Sequence, residues 1–248
     1  MKVAAIYDIH GNLPALESVL HDLRAADVDQ IVVGGDVVPG PMPRETLERL
    51  LSLDIPTQFI LGNGEVAVLE QMAGREAAAM PEMYRPIIRW TARQLSPEHV
   101  RLLAEWPKTL RIEISGIGGV LFCHATPRNE NDLFTKLTPE ERLLPTFDGL
   151  DASVVVCGHT HMQFDRMVGK TRVVNAGSVG MPFGEPGAYW LLLGPDVQLR
   201  HTLYDLTDAA DRIRRTDYPT AQEFAERNVL RPPPEAEMLE AFSRVERM

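Results

Sequence analysis

The 248-residue chain contains 44% hydrophobic and 24% charged residues, a balance typical of soluble globular proteins that bury a core without disulfide staples. Its formal net charge of -10 argues against a nucleic-acid backbone or an anionic membrane as the main partner. We expect no signal peptide, since the first apolar run ends at Asp8, and no run is long enough to span a membrane. The two cysteines, Cys123 and Cys157, end apolar runs and are predicted to be buried and reduced, which favours the cytoplasm.

The N-terminal segment alternates short apolar runs with segments of helical spacing. Apolar residues at positions 13, 16, 19, 20 and 23 share one face of a helix. The predicted order is strand, helix, strand, helix, strand, over residues 3–7, 13–25, 30–34, 44–53 and 57–61. This order predicts a parallel sheet with right-handed crossovers, and ligands of such sheets bind beyond the carboxyl ends of the strands.

The remainder of the chain is predicted to contain a helical segment, a second group of strands and a helical tail. Residues 66–106 lack strand alternation and are predicted to form two or three helices, a cap-like insert over the cleft. Hairpins are predicted over 110–123 and 163–175, a buried strand over 152–156, and closing strands over 188–193 and 197–203. We therefore predict one domain over residues 1–204, which includes the insert, and a helical C-terminal extension over 205–248 that packs on the same domain.

Seven potential metal ligands follow predicted strands or glycine turns. They are Asp8, His10, Asp36, Asn63, His124, His159 and His161. The two histidines of Gly158-His159-Thr160-His161 could by themselves be structural, and the other five residues are what favours a metal site. Three oxygen ligands and four imidazoles without a thiolate suit Mn, Fe, Zn, Co or Ni better than Mg.

Seven side chains are more than one ion can use. Two ions about 3.5–4 Å apart that share a carboxylate would organise all of them. Such a pair polarises the oxygens of a phosphoryl group, and a water that bridges the ions becomes hydroxide near neutral pH. The pattern therefore favours the hydrolysis of phosphate esters.

The order of these motifs resembles that of the calcineurin-like metallophosphoesterases. The motifs are Asp8-Ile9-His10, Gly35-Asp36, Gly62-Asn63, His124 and Gly158-His159-Thr160-His161, and the resemblance covers residues 1–204. The stretches 8–20, 124–128 and 175–180 are similar to the compact bacterial and archaeal phosphodiesterase branch of this family. The resemblance implies an α/β fold, a four-layer α/β/β/α sandwich with two packed sheets, which here carries a helical insert and a helical C-terminal tail.

The resemblance also implies a role for each ligand. The expected ligands of the first ion are Asp8, His10 and His161, those of the second are Asn63, His124 and His159, and Asp36 is expected to bridge both. The expected catalytic residues are Asp36, Asn63 and His124. We expect two divalent ions per chain, with Mn preferred and Fe, Zn, Ni or Co as alternatives.

Three residues are candidates for contact with the substrate. They are Asn12, Asn63, which would also touch a phosphate oxygen, and Arg128. Asn12 could instead support the ligands, and Arg128 could instead only hold a loop.

One position departs from the common family pattern. Many members carry a histidine after Gly-Asn that can protonate the leaving oxygen, whereas this chain has Gly64 in Gly62-Asn63-Gly64-Glu65. General acid catalysis contributes about 10²–10⁴-fold, so its loss would affect poor leaving groups most. We therefore predict a phosphodiesterase that works best on diesters with good leaving groups, and we expect glycine to leave space for a bulky ester arm.

Two other functions stay open at this stage. A phosphomonoesterase acting on a nucleotide or a protein would use the same metal pair, and turnover of monoesters against diesters separates the two. Some relatives of this fold are protein-binding scaffolds with degraded metal sites, although all seven ligand types are present here. The expected partner is a small phosphoester substrate, with no membrane and no nucleic-acid polymer, and a homodimer is left open.

Overall fold

Strands form two five-stranded sheets in the computed structural model, which describes residues 1–75 and 81–245. The strands are β1 (Val3–Ile6), β2 (Gln30–Val33), β3 (Thr57–Phe59), β4 (Thr109–Ile114), β5 (Gly118–Cys123), β6 (Val154–Cys157), β7 (Phe164–Val168), β8 (Thr171–Asn175), β9 (Ala188–Leu193) and β10 (Val197–Thr202). One sheet has the order β10-β9-β1-β2-β3, and the other has the order β4-β5-β6-β8-β7. Strands β1, β2 and β3 are parallel, as are β5, β6 and β8, so each sheet has a parallel centre.

Helices cover the sheets and make up the C-terminal part of the chain. They are α1 (Leu13–Ala25), α2 (Pro43–Leu51), α3 (Asn63–Met72), α4 (Arg85–Gln94), α5 (Pro97–Glu105), α6 (Glu140–Phe147), α7 (Leu206–Arg214), α8 (Ala221–Phe224) and α9 (Glu235–Ser243). A 3-10 turn (Glu82–Tyr84) precedes α4, and a π-helical segment (Ala225–Leu230) follows α8. Within the described ranges, no helix is long and apolar enough to cross a membrane.

Alternate residues of the central strands fill different cores, which defines four layers. The core between the sheets contains Val3, Ala5, Val120, Phe122, Val154 and Val156. The other face of the first sheet packs on helices, in a core that contains Ala4, Ile6, Leu16, Leu20 and Leu47. The other face of the second sheet packs on α6, in a core that contains Leu143, Phe147, Val155 and Cys157. The predicted α/β/β/α sandwich is therefore confirmed.

Burial on both faces explains why the central strands lack polar alternation. Every residue of β1 and of β6 is buried, because one face meets the opposite sheet and the other meets a helix. Cys123 and Cys157 end two of these strands, and both are buried with free thiols. The prediction that they are small buried hydrophobes is confirmed.

The helical insert begins at the candidate site itself. Helix α3 starts at Asn63, three residues before the predicted boundary at 66. Val68 of α3, Ile88 of α4 and Leu103 of α5 join the core that covers the outer face of the first sheet. Residues 76–80, in the middle of the predicted insert, lie outside the described residues.

The C-terminal arm, residues 205–245, contacts both the insert and the body. Its own core contains Ala209, Ile213, Phe224 and Val229, and Trp90 of α4 packs against that core. The ring of Tyr218 meets the ring of Trp90 edge-on, with centroids 5.3 Å apart. The arm therefore packs against α4, the helix whose Ile88 belongs to the core on the outer face of the first sheet.

Candidate metal centre

All seven predicted ligands lie beyond the carboxyl ends of parallel strands. The residues that follow β1, β2, β3, β5 and β6 are, in order, Asp8 and His10, Asp36, Asn63, His124, and His159 and His161. Because the strands of each set are parallel, their carboxyl ends lie at the same edge of their sheets. The two packed sheets thus bring ligands from both halves of the chain to one place.

Three imidazoles converge on the carboxylate of Asp8. Its Oδ1 lies 3.4 Å from Nε2 of His161, 3.8 Å from Nε2 of His124 and 3.9 Å from Nε2 of His10. The Nε2 atoms of His10 and His161 are 3.2 Å apart. Ligand atoms of Asp8, His10 and His161 lie within 4.8 Å of one another, a spacing that one ion can bridge.

Asp36 lies between this group and a second one. Its Oδ2 is 3.6 Å from Nε2 of His10, and its Oδ1 is 3.6 Å from Nε2 of His124. Ligand atoms of Asp8, Asp36 and His124 also lie within 4.8 Å of one another, and Oδ1 of Asn63 is 2.9 Å from Nε2 of His124. Asp8 therefore belongs to both groups of ligand atoms. Asp36 belongs to the second group and also faces His10 of the first.

The imidazole of His159 lies apart from these two close groups. Its ring centroid is 5.2 Å from that of His124, and the planes meet at 63°. Its backbone N–H donates to Oδ2 of Asp8 at 2.9 Å, so the main chain also binds the central carboxylate. The role of His159 as a metal ligand stays a prediction.

The Nδ1 atoms of three histidines are fixed by backbone carbonyls. Nδ1 of His10 is 3.2 Å from the oxygen of Pro39, Nδ1 of His124 is 2.9 Å from that of Gly34, and Nδ1 of His161 is 2.8 Å from that of Met181. A carbonyl oxygen can only accept, so each Nδ1 carries the proton in the neutral ring. Each Nε2 then presents a lone pair toward the cluster, the arrangement found around metal-bound histidines.

A divalent cation fits the atoms that meet here. Oδ1 of Asp8 is buried and accepts no hydrogen bond, which is costly for a charged oxygen. The Nε2 lone pairs of His10 and His161 face each other at 3.2 Å, which is repulsive without a charge between them. A cation among these atoms would relieve both penalties, and the mixed nitrogen and oxygen donors suit a transition metal.

Backbone strain is concentrated at the same positions. Six non-glycine residues in the described parts of the chain have positive φ, and five of them are predicted ligands: Asp8 (53°), His10 (47°), Asp36 (52°), His159 (67°) and His161 (60°). Such left-handed conformations are uncommon for residues with a Cβ and cluster at functional sites. The surrounding fold holds these side chains in place at a conformational cost.

Burial and neighbouring charges shift the pKa values of the cluster's members in different directions. Burial lowers the pKa of His159 to about 4, with the neighbouring His124 as the second cause. Burial also opposes a charge on His161, but the Asp8 carboxylate outweighs it and raises the pKa of that imidazole. For Asp8 the reverse balance holds, because His161 and its neighbours lower the carboxyl pKa in spite of burial. The cluster therefore keeps negative charge at Asp8, as a cation site requires.

Glu65 is a supporting residue whose role the sequence alone did not reveal. Its carboxylate is fully buried and accepts backbone N–H bonds from Asp36 at 2.8 Å, Gly62 at 2.8 Å and Val38 at 3.1 Å. Burial, followed by the charge of Asp36, raises the pKa of Glu65 to about 7. One side chain thus ties together the turns after β2 and β3, and the sequence signal was a glutamate two residues after a ligand.

The two candidates for substrate contact other than Asn63 have different surroundings. Asn12 is fully buried, where its amide donates to the oxygen of Gly180 at 3.0 Å and accepts from the N–H of Ala15 at 3.2 Å. Its amide is thus engaged with the polypeptide, which favours the alternative that it supports the site. Arg128 is exposed, and its guanidinium donates to the oxygen of Pro145 in α6.

The expectation that Gly64 leaves space for a substrate arm was wrong. A Cβ at this position would collide with the carbonyl oxygen of Val38 and lie 2.7 Å from Cδ of Pro39. The N–H of Gly64 also donates to Oδ1 of Asp36 at 2.7 Å. Glycine is needed because the turn after β2 packs directly on the first turn of α3, and the place of a side chain is already filled.

The fold and this cluster of histidines and carboxylates define a metal-dependent hydrolase of phosphate esters. Residues 1–194 match the calcineurin-like phosphoesterase superfamily domain, and the chain belongs to that family. The resemblance seen in the motifs is thereby confirmed.

Two archaeal proteins and one bacterial protein are similar to this chain over most of its length. It is 27% identical to the uncharacterized protein MJ0912 of Methanocaldococcus jannaschii over 238 residues, which cover 88% of this chain and 93% of that protein. The crystal structure of a metallophosphoesterase from Sphaerobacter thermophilus is similar with a TM-score of 0.69 and 28% identity, over 92% of this chain and 97% of that one. The hypothetical protein PH1004 of Pyrococcus horikoshii OT3 has the same fold, with a TM-score of 0.78 and 20% identity over 90% of this chain and 97% of that one.

Proposed function

We propose that this phosphoric ester hydrolase is a dinuclear phosphodiesterase that acts on small phosphodiesters. The observation that carries the proposal is the pair of ligand groups that share Asp8, with Asp36 facing both. Two groups with shared carboxylates are what two neighbouring ions need. The mixed nitrogen and oxygen donors suit divalent transition metals, and Mn is the ion we expect, with Fe, Zn, Ni or Co as alternatives.

The ligand residues would have distinct tasks. Asp8, His10 and His161 would hold one ion, Asn63, His124 and His159 the other, and Asp36 would lie between them. When bound, the ions supply charge that polarises a phosphoryl group and lowers the pKa of a water. The carbonyl oxygen of the Asn63 side chain faces His124, which leaves its amide NH₂ free to donate to a phosphate oxygen. His124, fixed by Gly34, keeps its Nε2 directed at the cluster.

The charges around the cluster support a diester over a monoester. Within the described residues, no arginine or lysine forms an ion pair with Asp8 or Asp36, and Arg128 is bonded to α6 instead. A monoester dianion is usually bound by arginine or lysine side chains, whereas a diester carries a single negative charge. Arg128 already uses one of its five guanidinium N–H groups on Pro145.

The substrate class is tested with the metal-loaded protein. Bis(p-nitrophenyl) phosphate and p-nitrophenyl phosphate share a leaving group and differ in charge. We expect a higher kcat/KM for the diester. A higher kcat/KM for the monoester would contradict the proposal and favour a phosphomonoesterase.

The absence of an imidazole at position 64 supports a preference for good leaving groups. A histidine cannot be introduced there as a test, because its Cβ would collide with Val38. The dependence of kcat/KM on the leaving-group pKa can be measured instead, with a series of aryl methyl phosphodiesters. We expect a steep decline as the leaving group becomes more basic, and a flat series would show that another group donates the proton.

A further inference from the structure

The loop between β8 and β9, residues 176–187, is hydrogen-bonded to two of the predicted ligands, Asp8 and His161. The hydroxyl of Ser178 donates to the carbonyl oxygen of Asp8 at 2.7 Å. The carbonyl oxygen of Met181 accepts from Nδ1 of His161 at 2.8 Å. The position of the next residues of this loop is therefore fixed relative to the metal ligands.

Phe183 in this loop stacks on His161. The ring centroids are 5.5 Å apart and the planes differ by 21°. Asp8 and Asp36 are buried, whereas His161 and Asn63 are only half-buried, so the cluster opens to solvent on their side. Phe183 is itself half-buried and lies at this opening.

The C-terminal arm also contacts Phe183 and its loop. Phe242 of α9 meets Phe183 edge-on, with centroids 5.9 Å apart and planes at 64°. The N–H of Gly184 donates to the carbonyl oxygen of Pro233 at 2.9 Å, and Lys136 pairs with Glu235 at 2.8 Å. The arm thus contributes an aromatic residue that contacts Phe183 beside the candidate metal centre.

We propose that Phe183, supported by Phe242, is a stacking platform for a flat aromatic group on the arm of the diester that stays on the phosphate, such as a nucleobase. An aromatic ring at the mouth of a cluster that binds the phosphate is placed to contact the adjoining arm. Stacking of a base on an aromatic side chain strengthens binding about tenfold or more. The inference rests on the proposed function for its substrate, and it assigns a task to the C-terminal arm.

The test compares two diesters with the same leaving group. The p-nitrophenyl ester of thymidine 5'-monophosphate retains a nucleobase, and methyl p-nitrophenyl phosphate retains a methyl group. We expect Phe183→Leu, which keeps apolar bulk but lacks a flat ring, to lower the ratio of the two kcat/KM values about tenfold. Because the ratio cancels any loss common to both substrates, it separates stacking from a disturbed His161. An unchanged ratio in Phe183→Leu would overturn the platform.

Two further variants show where the effect originates. Phe242→Leu should lower the same ratio by a smaller factor, because Phe183 loses its edge contact. Tyr218→Leu is the control, since Tyr218 belongs to the same arm but contacts Trp90 and Phe224 rather than Phe183. We expect its ratio to stay within about twofold of the wild-type value; a tenfold fall would attribute the preference to the arm as a whole and contradict a platform at Phe183.

A binding measurement distinguishes failure of the platform from failure of the proposed function. Calorimetry with thymidine 5'-monophosphate and with methyl phosphate needs no turnover, and we expect Phe183→Leu to weaken only the nucleotide about tenfold. Binding with this dependence but no hydrolysis of either diester would contradict the phosphodiesterase and leave the platform standing. If both diesters were hydrolysed but Phe183→Leu bound thymidine 5'-monophosphate as tightly as the wild type does, the platform would be contradicted and the phosphodiesterase would stand.

Discussion

At the scale of single residues, Glu65 explains how two turns keep a common geometry. Its carboxylate accepts N–H bonds from Asp36, which is itself a predicted ligand, from Val38 two residues later, and from Gly62, which precedes the ligand Asn63. A buried N–H without an acceptor costs about 1–3 kcal/mol, so three of them depend on one side chain. The turn after β2 and the start of α3 should therefore fail together when this carboxylate is removed.

The first prediction concerns the free energy of unfolding of Glu65 variants. Glu65→Gln puts an amide NH₂ where one N–H needs an acceptor, and we expect a loss of about 1–3 kcal/mol in urea denaturation. Glu65→Ala should cost more, because all three bonds are lost. Glu140→Gln is the matched control, since Glu140 is exposed and accepts one backbone N–H bond, that of Gly169, among the bonds of the described residues. Equal losses for the Glu65→Gln and Glu140→Gln variants would contradict the proposed role.

The second prediction concerns the two thiols. Burial raises the pKa of Cys123 and of Cys157, so neither is present as a reactive thiolate at neutral pH. We expect a water-soluble disulfide reagent to modify no cysteine in the folded protein and both cysteines in guanidinium chloride. Rapid modification of either thiol without denaturant would show that the strand ends are open to solvent.

Residue types at the site could be predicted from the sequence, but their supports could not. Polar residues directly after apolar runs, such as Asp8 and His124, reveal a site because parallel strands end at a common edge. The acceptor role of Glu65 depends on N–H groups separated from it by up to 29 positions, and only the fold brings them together. Gly64 was misjudged for the same reason, since the segment that fills its neighbourhood comes from the turn after β2.

At the scale of elements, α3 packs directly on the turn after β2. The first turn of α3 contains Gly64, and Val38 and Pro39 lie where its Cβ would be. The third prediction is that Gly64→Ala lowers the free energy of unfolding by about 1–3 kcal/mol, because the backbone of one element has to move. The measurement is urea denaturation of the metal-free protein.

Gly119→Ala is the control for that substitution. Gly119 lies in β5, where a new Cβ would approach only the ends of the Glu113 and Arg111 side chains, at 2.9 and 3.0 Å. Both side chains are exposed and can turn away. We expect a change of less than about 1 kcal/mol for this variant. A similar loss in both variants would show that α3 does not depend on glycine for its packing.

Element types followed the sequence pattern more closely than their ends did. The spacing of apolar residues predicted α1 over 13–25, which is its observed extent, because one face of that helix packs on the sheet. Strand β3 was predicted to reach residue 61 but ends at Phe59. The N–H of Ile60 still donates to the carbonyl oxygen of Val33 in β2, but the N–H of Leu61 donates to that of Pro107. A pairing with a distant segment cannot be read from local alternation.

At the scale of the whole molecule, we propose that the C-terminal arm folds as part of the same domain. Ile213 is fully buried in the core of the arm, and Trp90 of the insert packs against that core. The fourth prediction is that Ile213→Ala lowers the global free energy of unfolding by about 2–5 kcal/mol. Leu203→Ala, at a side chain that is 77% exposed, should be nearly neutral. An early transition that changes tryptophan fluorescence and removes only part of the helical signal in far-UV circular dichroism would show that the arm unfolds separately.

The arrangement of the arm could not be predicted from the sequence beyond its helical character. Its contacts with Trp90 and Phe183 join segments that are far apart in the chain. The placement of the predicted insert as a cap over the cleft stays a prediction, since residues 76–80 lie outside the described residues. The sandwich itself was predictable, because five motifs at strand ends identify the family that has this fold.

The central claim is tested most directly by metal content and turnover measured on the same samples. The protein is stripped of metal, reconstituted with Mn and assayed with bis(p-nitrophenyl) phosphate. We predict two ions per chain and hydrolysis in the wild type, and loss of turnover with retained circular dichroism in His124→Ala and Asp36→Ala. Fewer than one ion per chain without hydrolysis would contradict the account and favour a binding scaffold, and turnover that survived both substitutions would contradict the site.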